Sequence, residues 1–192
     1  MNHVDWCIAC HENTNHMYDE YIPYHFHLRM ADRVGGQFEH LLDGTCDLQT
    51  GKTREELEHT RIGFVSLRMA CRKAIWAHDT IEDTRENFNS VSKHLGQDAA
   101  EIVYAVTNEK GKNRAERANE KYYAGIVATP GAVFVKLCDR IANVQYGKMT
   151  GSSMYEKYSK ENAHFIKSLG WDGSEDHGLA PMFGYLLNLF KE

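Results

Sequence analysis

The sequence predicts an all-α fold, and three features of its 192 residues point to this class. Apolar residues recur at spacings of three and four along several segments, which is the period of one helix face. Strand-like alternation with hairpin turns is nearly absent. Only three prolines interrupt the chain, and an apolar content of 42% suffices for a buried core. We therefore expect one domain over residues 1–192, built as a bundle of about eight helices.

Two segments show the helical period most clearly. The first has one apolar face that ends at His78, and Thr53 with Glu56 forms a capping-box pattern at its start. The second begins near Pro130, a residue suited to a first helical turn, and continues to Val144. The remaining helices are expected in six segments: 5–15, 26–43, 97–107, 111–124, 152–168 and 181–191.

The overall charge argues against polyanionic partners. The chain has 22 basic and 27 acidic residues, a net charge of −5, which repels nucleic acid and anionic membranes. No window reaches the roughly 20 apolar residues of a membrane span, and the first residues lack a signal-peptide pattern. We expect a cytoplasmic protein. The short apolar run 182–190 is expected to pack within the domain or against a second subunit in a homo-oligomer.

The five cysteines do not form a disulfide framework. They are odd in number and scattered, which fits a reducing compartment. Cys7 and Cys10 form a CxxC pair that could be half of a zinc site or a redox pair. No second pair follows at zinc-finger spacing, and a helix would place both thiols on one buried face. The pattern favours the buried face.

One short segment concentrates chemistry. Residues 77–84 read A-H-D-T-I-E-D-T, with one imidazole and three carboxylates at the end of an apolar helix. His78 and Asp79 offer a nitrogen and an oxygen ligand, and one turn later Glu82 and Asp83 return beside them. An isolated His-Asp pair is usually a solvated helix end. Burial of all these groups, however, would be costly without a partner.

Two further residues indicate a metal site. Asp139 lies in an otherwise apolar helix, where a carboxylate needs a cation or a donor nearby. His27 opens another helix, although His25 competes for the same role. With His78 and Asp79 these residues supply two imidazoles and two carboxylates, a set suited to Mn²⁺, Fe²⁺ or Zn²⁺. Four protein ligands leave room for water on such an ion.

An acidic protein that binds phosphates needs a local basic patch. The segment 110–121 provides one, with five cations: Lys110, Lys112, Arg114, Arg117 and Lys121. Glutamates are interleaved with them, so a solvated helix with internal ion pairs is the alternative.

The pattern H…HD…D resembles the HD-domain phosphohydrolases. Within them, residues 77–84 and the run V-K-L-C-D-R-I-A-N at 135–143 are similar to the hydrolase branch of the RelA/SpoT family, which includes the metazoan SpoT homologue. Residues 88–108 resemble the connecting helices of that family. The resemblance covers about residues 5–148, which would be the catalytic core, and residues 152–192 would add C-terminal helices.

The resemblance implies an all-α phosphohydrolase with one divalent ion held by His27, His78, Asp79 and Asp139. Tyr24-x-x-His27 reproduces the family spacing and favours His27 over His25. Glu82 and Asp83 correspond to the pair that holds and deprotonates the attacking water, and Asn143 to a residue that helps hold the nucleotide. Tyr158 falls near a C-terminal tyrosine of the family. Mn²⁺ is the expected ion, with Fe²⁺, Zn²⁺ or Co²⁺ as alternatives.

The implied substrate is a small nucleotide of the guanosine tetraphosphate or pentaphosphate type, which would lose its 3′-pyrophosphate to a metal-activated water. Two alternatives stay open. The first is hydrolysis of deoxynucleoside triphosphates or nucleoside monophosphates. The second is a module that binds a nucleotide without turnover.

The chain departs from the family at two places. The relatives carry a basic pair before the first ligand, whereas this chain has none and places Leu28 where they have proline. The basic pair helps grip the base in the relatives, so the resemblance does not fix the base and phosphate preference of this chain. The gap between His27 and His78 is also longer. The extra residues lie around 42–61 and would shape the pocket rim or an oligomer contact.

Overall fold

The computed structural model describes residues 1–43 and 64–191, and the regular structure in these ranges is helical. A 3₁₀ turn spans Glu39–Asp43, and Met17 and Pro23 form an isolated β-bridge. The prediction of an all-α fold is confirmed. The described ranges contain eleven α-helices: α1 His3–Glu12, α2 His25–Phe38, α3 Phe64–Ala77, α4 Thr80–Asp83, α5 Phe88–Leu95, α6 Gln97–Val106, α7 Arg114–Arg117, α8 Glu120–Ala128, α9 Ala132–Thr150, α10 Ser153–Ser168 and α11 Ala180–Leu189.

Helix α9 is the centre of the molecule. It contacts α2, α3, α6, α8, α10 and α11, so its buried face covers most of its circumference. Phe134, Leu137 and Ile141 are almost completely buried along it. Because α9 is enclosed on most sides, a polar side chain on it must either pair with another polar group or face a cavity.

A glycine sets the start of α9. Gly131 adopts a left-handed conformation with φ 83°, and a Cβ atom there would lie 2.5 Å from Cys71 Sγ. Only glycine meets both conditions, because it has no Cβ and tolerates positive φ. Pro130 therefore lies in the turn before the helix, and α9 begins at Ala132 rather than near Pro130.

Side-chain caps explain where the predicted helices differ from the observed ones. The predicted helix 111–124 is divided into α7 and α8, because the Asn119 side chain accepts a hydrogen bond from the Tyr122 amide and starts a new helix. Helix α5, which the periodicity did not indicate, begins with a capping box between Asn87 and Ser90. The predicted cap at Thr53 and Glu56, and the insert from residue 44 to 61, lie outside the described residues.

The two ends of the chain pack on the bundle. Cys7 and Cys10 are 0% and 5% exposed on the inner face of α1, and burial raises the pKa of Cys10 to about 12. They are protonated core thiols, as the buried-face interpretation expects. Met182, Phe183 and Leu186 of α11 are fully buried. Among the described helices, none has the length and apolar character that a bilayer crossing requires.

Candidate active site

The four predicted metal ligands converge at one point. His27 comes from the first turn of α2, His78 and Asp79 follow the end of α3, and Asp139 lies in the middle of α9. Helices α2, α3 and α9 contact one another, so residues far apart in sequence meet between them. One ligand atom from each of the four side chains lies within 4.8 Å of the others, and no other such group occurs within residues 1–43 and 64–191.

The ligand atoms have the spacing of a metal coordination shell. His27 Nε2 lies 3.0 Å from His78 Nε2 and 3.3 Å from Asp139 Oδ1. His78 Nε2 lies 2.9 Å from Asp79 Oδ2. Neighbouring ligands on an ion with bonds of about 2.1 Å are about 3.0–3.5 Å apart. The mixed nitrogen and oxygen donors fit a first-row divalent ion, so this set could hold one.

A hydrogen bond orients the His78 imidazole, and ring stacking orients that of His27. His78 Nδ1 lies 2.7 Å from the carbonyl oxygen of Ile75 and donates to it, which turns Nε2 towards the cluster. The His27 ring stacks on Tyr18 with centroids 5.0 Å apart and an interplanar angle of 12°. Both histidines are about 1–2% exposed. The sequence pattern placed His27 and His25 in competition, and the structure brings only His27 into the cluster, while His25 Nδ1 lies 3.8 Å from Glu12.

Charge pairing keeps both carboxylates of the cluster ionised. Burial opposes ionisation, yet the adjacent His78 imidazole holds the pKa of Asp79 below its usual value. Burial also opposes it at Asp139, where Lys136 and hydrogen bonds from the imidazoles hold the pKa well below its usual range. The cluster therefore presents negative charge to a cation.

Three neighbours hold the carboxylates of the cluster, and the sequence pattern alone did not assign them this role. The Tyr24 hydroxyl donates to Asp79 Oδ2. Lys136 Nζ donates to Asp139 Oδ2 at 3.0 Å, and Asn143 Nδ2 donates to Asp139 Oδ1 at 2.5 Å. Such supports orient ligands and strengthen metal binding.

Glu82 is clamped by Asn108. The side-chain Nδ2 of Asn108 donates to both carboxylate oxygens at 2.9 Å, and its backbone N–H donates to Oε2 at 3.2 Å. Asn108 follows the end of α6, so it reaches Glu82 of α4 only through the tertiary fold. Three hydrogen-bond contacts from two donor groups fix the orientation of this carboxylate beside the cluster.

Asp83 lies at the wall of the same cleft with a different environment. Its side chain is 36% exposed and faces His16, whose Nε2 is 3.9 Å from Asp83 Oδ2. Partial loss of hydration, together with the nearby charges of Asp79 and Glu82, raises the pKa of Asp83 to about 7. The two neighbouring carboxylates are thus distinct, because within residues 1–43 and 64–191 donors hold Glu82 but none holds Asp83.

The cluster opens into a cleft of about 950 Å³, within the usual range of small-molecule sites. Asp79, Glu82, Asp83 and Asp139 line its acidic part. Its cationic side chains come from α7, α9 and α10: Arg117, Lys136, Arg140 and Lys157. The guanidinium of Arg140 lies over the rings of Tyr158 and Phe165, 4.4 and 4.1 Å from their centroids. This stacking presents a buried cation to the cleft.

The structure brings two of the five sequence-predicted binding residues to the cleft. Asn143 and Tyr158 line it, but the Asn143 amide is also engaged by Asp139 and by the Tyr18 hydroxyl, which donates to Asn143 Oδ1 at 2.9 Å. Lys110 and Lys112 are exposed and lie outside the cleft lining. The side chain of Arg114 lies outside the described part of the chain. Within the basic segment, it is Arg117 that lines the cleft, while Lys121 pairs with Glu109 at 2.8 Å.

Comparison with known proteins shows what the chain is similar to. No protein-family model matches it. It is 33% identical over 73 residues to the guanosine-3′,5′-bis(diphosphate) 3′-pyrophosphohydrolase MESH1 of Mus musculus, which covers 38% of this chain and 41% of that protein. The Xenopus tropicalis protein of the same name is 34% identical over 76 residues, or 40% and 42% of the two chains. A guanosine-3′,5′-bis(diphosphate) 3′-pyrophosphohydrolase of Aquifex aeolicus is 34% identical over 96 residues, or 48% and 14%.

A solved structure described as a metazoan orthologue of SpoT that hydrolyses ppGpp superposes with a TM-score of 0.62 at 18% identity. The superposition covers 97% of this chain and 92% of that one. The class is therefore an all-α HD-domain fold, as the sequence predicts. Within that class, the chain is similar to the 3′-pyrophosphohydrolases of the SpoT type, and the sequence matches span about two fifths of the length of the vertebrate relatives.

Proposed function

We propose that this protein is a metal-dependent nucleotide phosphohydrolase that removes the 3′-pyrophosphate of guanosine tetraphosphate-like molecules. The observation that carries the proposal is the ligand cluster of His27, His78, Asp79 and Asp139, open to a cleft that also contains Glu82 and Asp83. Similarity to relatives named for this reaction supports the choice of substrate.

The geometry of the site gives Glu82 and Asp83 different roles in the proposed reaction. A divalent ion held by His27, His78, Asp79 and Asp139, Mn²⁺ in this proposal, would supply a water of lowered pKa that is nucleophilic near neutral pH. Glu82, fixed by Asn108, would accept one hydrogen bond from the attacking water and direct the water oxygen at the phosphorus. Asp83, which Asn108 does not hold, accepts the proton. As the water oxygen bonds to the phosphorus, the bond from that phosphorus to the 3′-oxygen breaks, the 3′-oxygen takes up a proton from solvent, and the products are GDP and pyrophosphate.

Cationic side chains on the opposite helices would bind the phosphates. Lys136 and Arg140 are one turn apart on α9 and both line the cleft, and Arg117 and Lys157 enter it from α7 and α10. A substrate with two diphosphate groups carries enough negative charge to engage several of these cations. We propose that Tyr158, by stacking on Arg140, keeps its guanidinium directed at the substrate.

A substrate panel tests the proposal. The purified protein is loaded with Mn²⁺ and incubated with guanosine tetraphosphate, NADPH, deoxynucleoside triphosphates and nucleoside monophosphates, and products are separated by ion exchange. Pyrophosphate release from guanosine tetraphosphate is expected. His78→Ala should lose both bound metal and turnover. His25→Ala is the matched control, because that histidine is two residues from His27 but outside the cluster.

The other outcomes of the panel separate the alternatives. Turnover of a different nucleotide, with guanosine tetraphosphate intact, would reject the substrate and retain the metal chemistry. Tight binding of a nucleotide that survives unchanged with metal present would identify a binding module. Metal content and turnover that persist in His78→Ala would reject the site itself. The proposal includes action in the cytoplasm, which is supported by the absence of disulfides among the four described cysteines.

A further inference from the structure

Two histidines outside the ligand cluster, His11 and His16, contact each other, and His16 faces Asp83. His11 is in the last turn of α1 and is 1% exposed. The chain reverses after it, because Asn15 adopts a left-handed conformation with φ 52° and the His16 amide donates to the His11 carbonyl at 3.0 Å. Asparagine tolerates this conformation better than most residues. The reversal places the Nδ1 atoms of the two rings 3.0 Å apart.

This contact constrains where the protons lie. At 3.0 Å one Nδ1 must donate and the other must accept. His11 Nε2 is buried and has no hydrogen-bond partner within the described ranges. A proton on it would be a buried donor without an acceptor, which is costly and rarer than an unused lone pair. The proton of a neutral His11 therefore lies on Nδ1 and is donated to His16.

The environment keeps both rings neutral. Burial lowers the pKa of His11 to about 3 and also lowers that of His16. When a neutral His16 accepts at Nδ1, its own proton lies on Nε2. That nitrogen faces Asp83 Oδ2 at 3.9 Å, longer than a hydrogen bond in this conformation but close enough for an electrostatic contact. Contacts of this kind often tighten when substrate binds.

Ring stacking holds His16 in place. Its centroid lies 3.9 Å from that of Tyr24 with an interplanar angle of 15°, and Tyr24 itself donates to Asp79. His16 is absent from the described residues that line the cleft, so it reaches the reaction through Asp83 and not through the substrate. Tyr24 thus holds Asp79 through its hydroxyl and holds His16, the neighbour of Asp83, through its ring.

We propose that His11 and His16 form a positioning pair that orients Asp83, in which His11 sets the tautomer of His16 and His16 directs its Nε2–H at the carboxylate. The role in catalysis rests on the function proposed above. The assignment of the two tautomers does not rest on that function, because it follows from burial and contact distances alone.

Two substitutions at His16 test whether this residue orients Asp83 for catalysis. His16→Phe keeps a ring on Tyr24 and removes both nitrogens, whereas His16→Gln keeps a donor near the position of Nε2 and removes the ring. We expect His16→Phe to lower kcat about 3- to 10-fold, the effect of one hydrogen-bonding partner, with KM nearly unchanged. His16→Gln should recover most of the loss. His40→Phe, at an exposed histidine of the 3₁₀ turn, is the matched control.

Nitrogen-15 NMR of histidine-labelled protein tests the tautomers without any turnover. The expected spectrum shows His11 protonated on Nδ1 and His16 on Nε2, and His11→Phe should release His16 into a mixture of tautomers. A His16 protonated on Nδ1 in the wild type would overturn the proposal. Wild-type kcat in a folded His16→Phe would also overturn it. If the wild type hydrolyses no guanosine tetraphosphate, the proposed function fails, and the NMR result alone decides for or against the positioning pair.

Discussion

Replacing Asn108 with alanine removes the side-chain donor that holds the Glu82 carboxylate. One Nδ2 group spans both carboxylate oxygens at 2.9 Å, and the backbone N–H at 3.2 Å remains in the variant. A hydrogen bond to a charged group contributes about 1.5–3 kcal/mol, and because Glu82 is only half-buried the lower part of this range applies. If a less well oriented Glu82 stabilises the transition state by about 1.5–2.5 kcal/mol less, kcat falls about 10- to 70-fold.

The assay separates orientation from binding. Steady-state kinetics on guanosine tetraphosphate should show the loss in kcat with little change in KM, because Asn108 acts through Glu82. Bound Mn²⁺ should stay at the wild-type level, since Asn108 is not part of the ligand cluster. Asn89→Ala, an exposed asparagine on α5, is the control. A kcat within twofold of wild type would refute the reasoning that Glu82 needs this clamp.

Three further outcomes are expected. Gly131→Ala should destabilise the fold by about 2–4 kcal/mol in denaturant unfolding, because the new methyl meets a buried cysteine sulfur and alanine is strained at φ 83°; an unchanged midpoint would contradict this. Lys136→Met should weaken Mn²⁺ affinity about tenfold in calorimetry by freeing Asp139 Oδ2, and equal affinity would exclude that support. Hydrogen bonds from two arginines of α3 lower the pKa of Glu39, so its contribution exists above the usual value of 4.5 and is lost as pH falls through the lowered pKa. Glu39→Gln should therefore cost about 0.5–1 kcal/mol at pH 7 and little at acid pH, and a cost that does not depend on pH would reject the ion pair.

The helices were predictable where local signals are strong. Gln97–Val106 and Ser153–Ser168 match their predicted segments within a residue or so, because periodicity and caps are local properties. Helix α5 was missed by periodicity since its eight residues are too short to show a long apolar pattern, and its capping box at Asn87 was the available signal. The segment 111–124 was read as one helix because its charges hide the cap at Asn119.

Some residues of the candidate site were likewise predictable from local sequence signals, and others were not. His78, Asp79 and Asp139 were recognisable because polar groups in apolar helices are costly without a partner. Lys110 and Lys112 are predicted to bind phosphate because their segment is basic, yet charge in a sequence does not specify where a side chain lies, and both are exposed and are not among the described residues that line the cleft. The clamp on Glu82 by Asn108 joins residues 26 apart in the chain and had no sequence signal.

The sequence by itself determined the class of fold and the ligand types, because helix periodicity and the chemistry of buried imidazole and carboxylate groups are properties of short segments. Tertiary structure decided the support of Asp139 by Lys136 and the approach of His16 to Asp83, and it brings into the cluster His27, which the family spacing already favours over His25. These depend on how α1, α2, α3 and α9 cross, and the crossing is set by the shape of a shared core that no single segment contains.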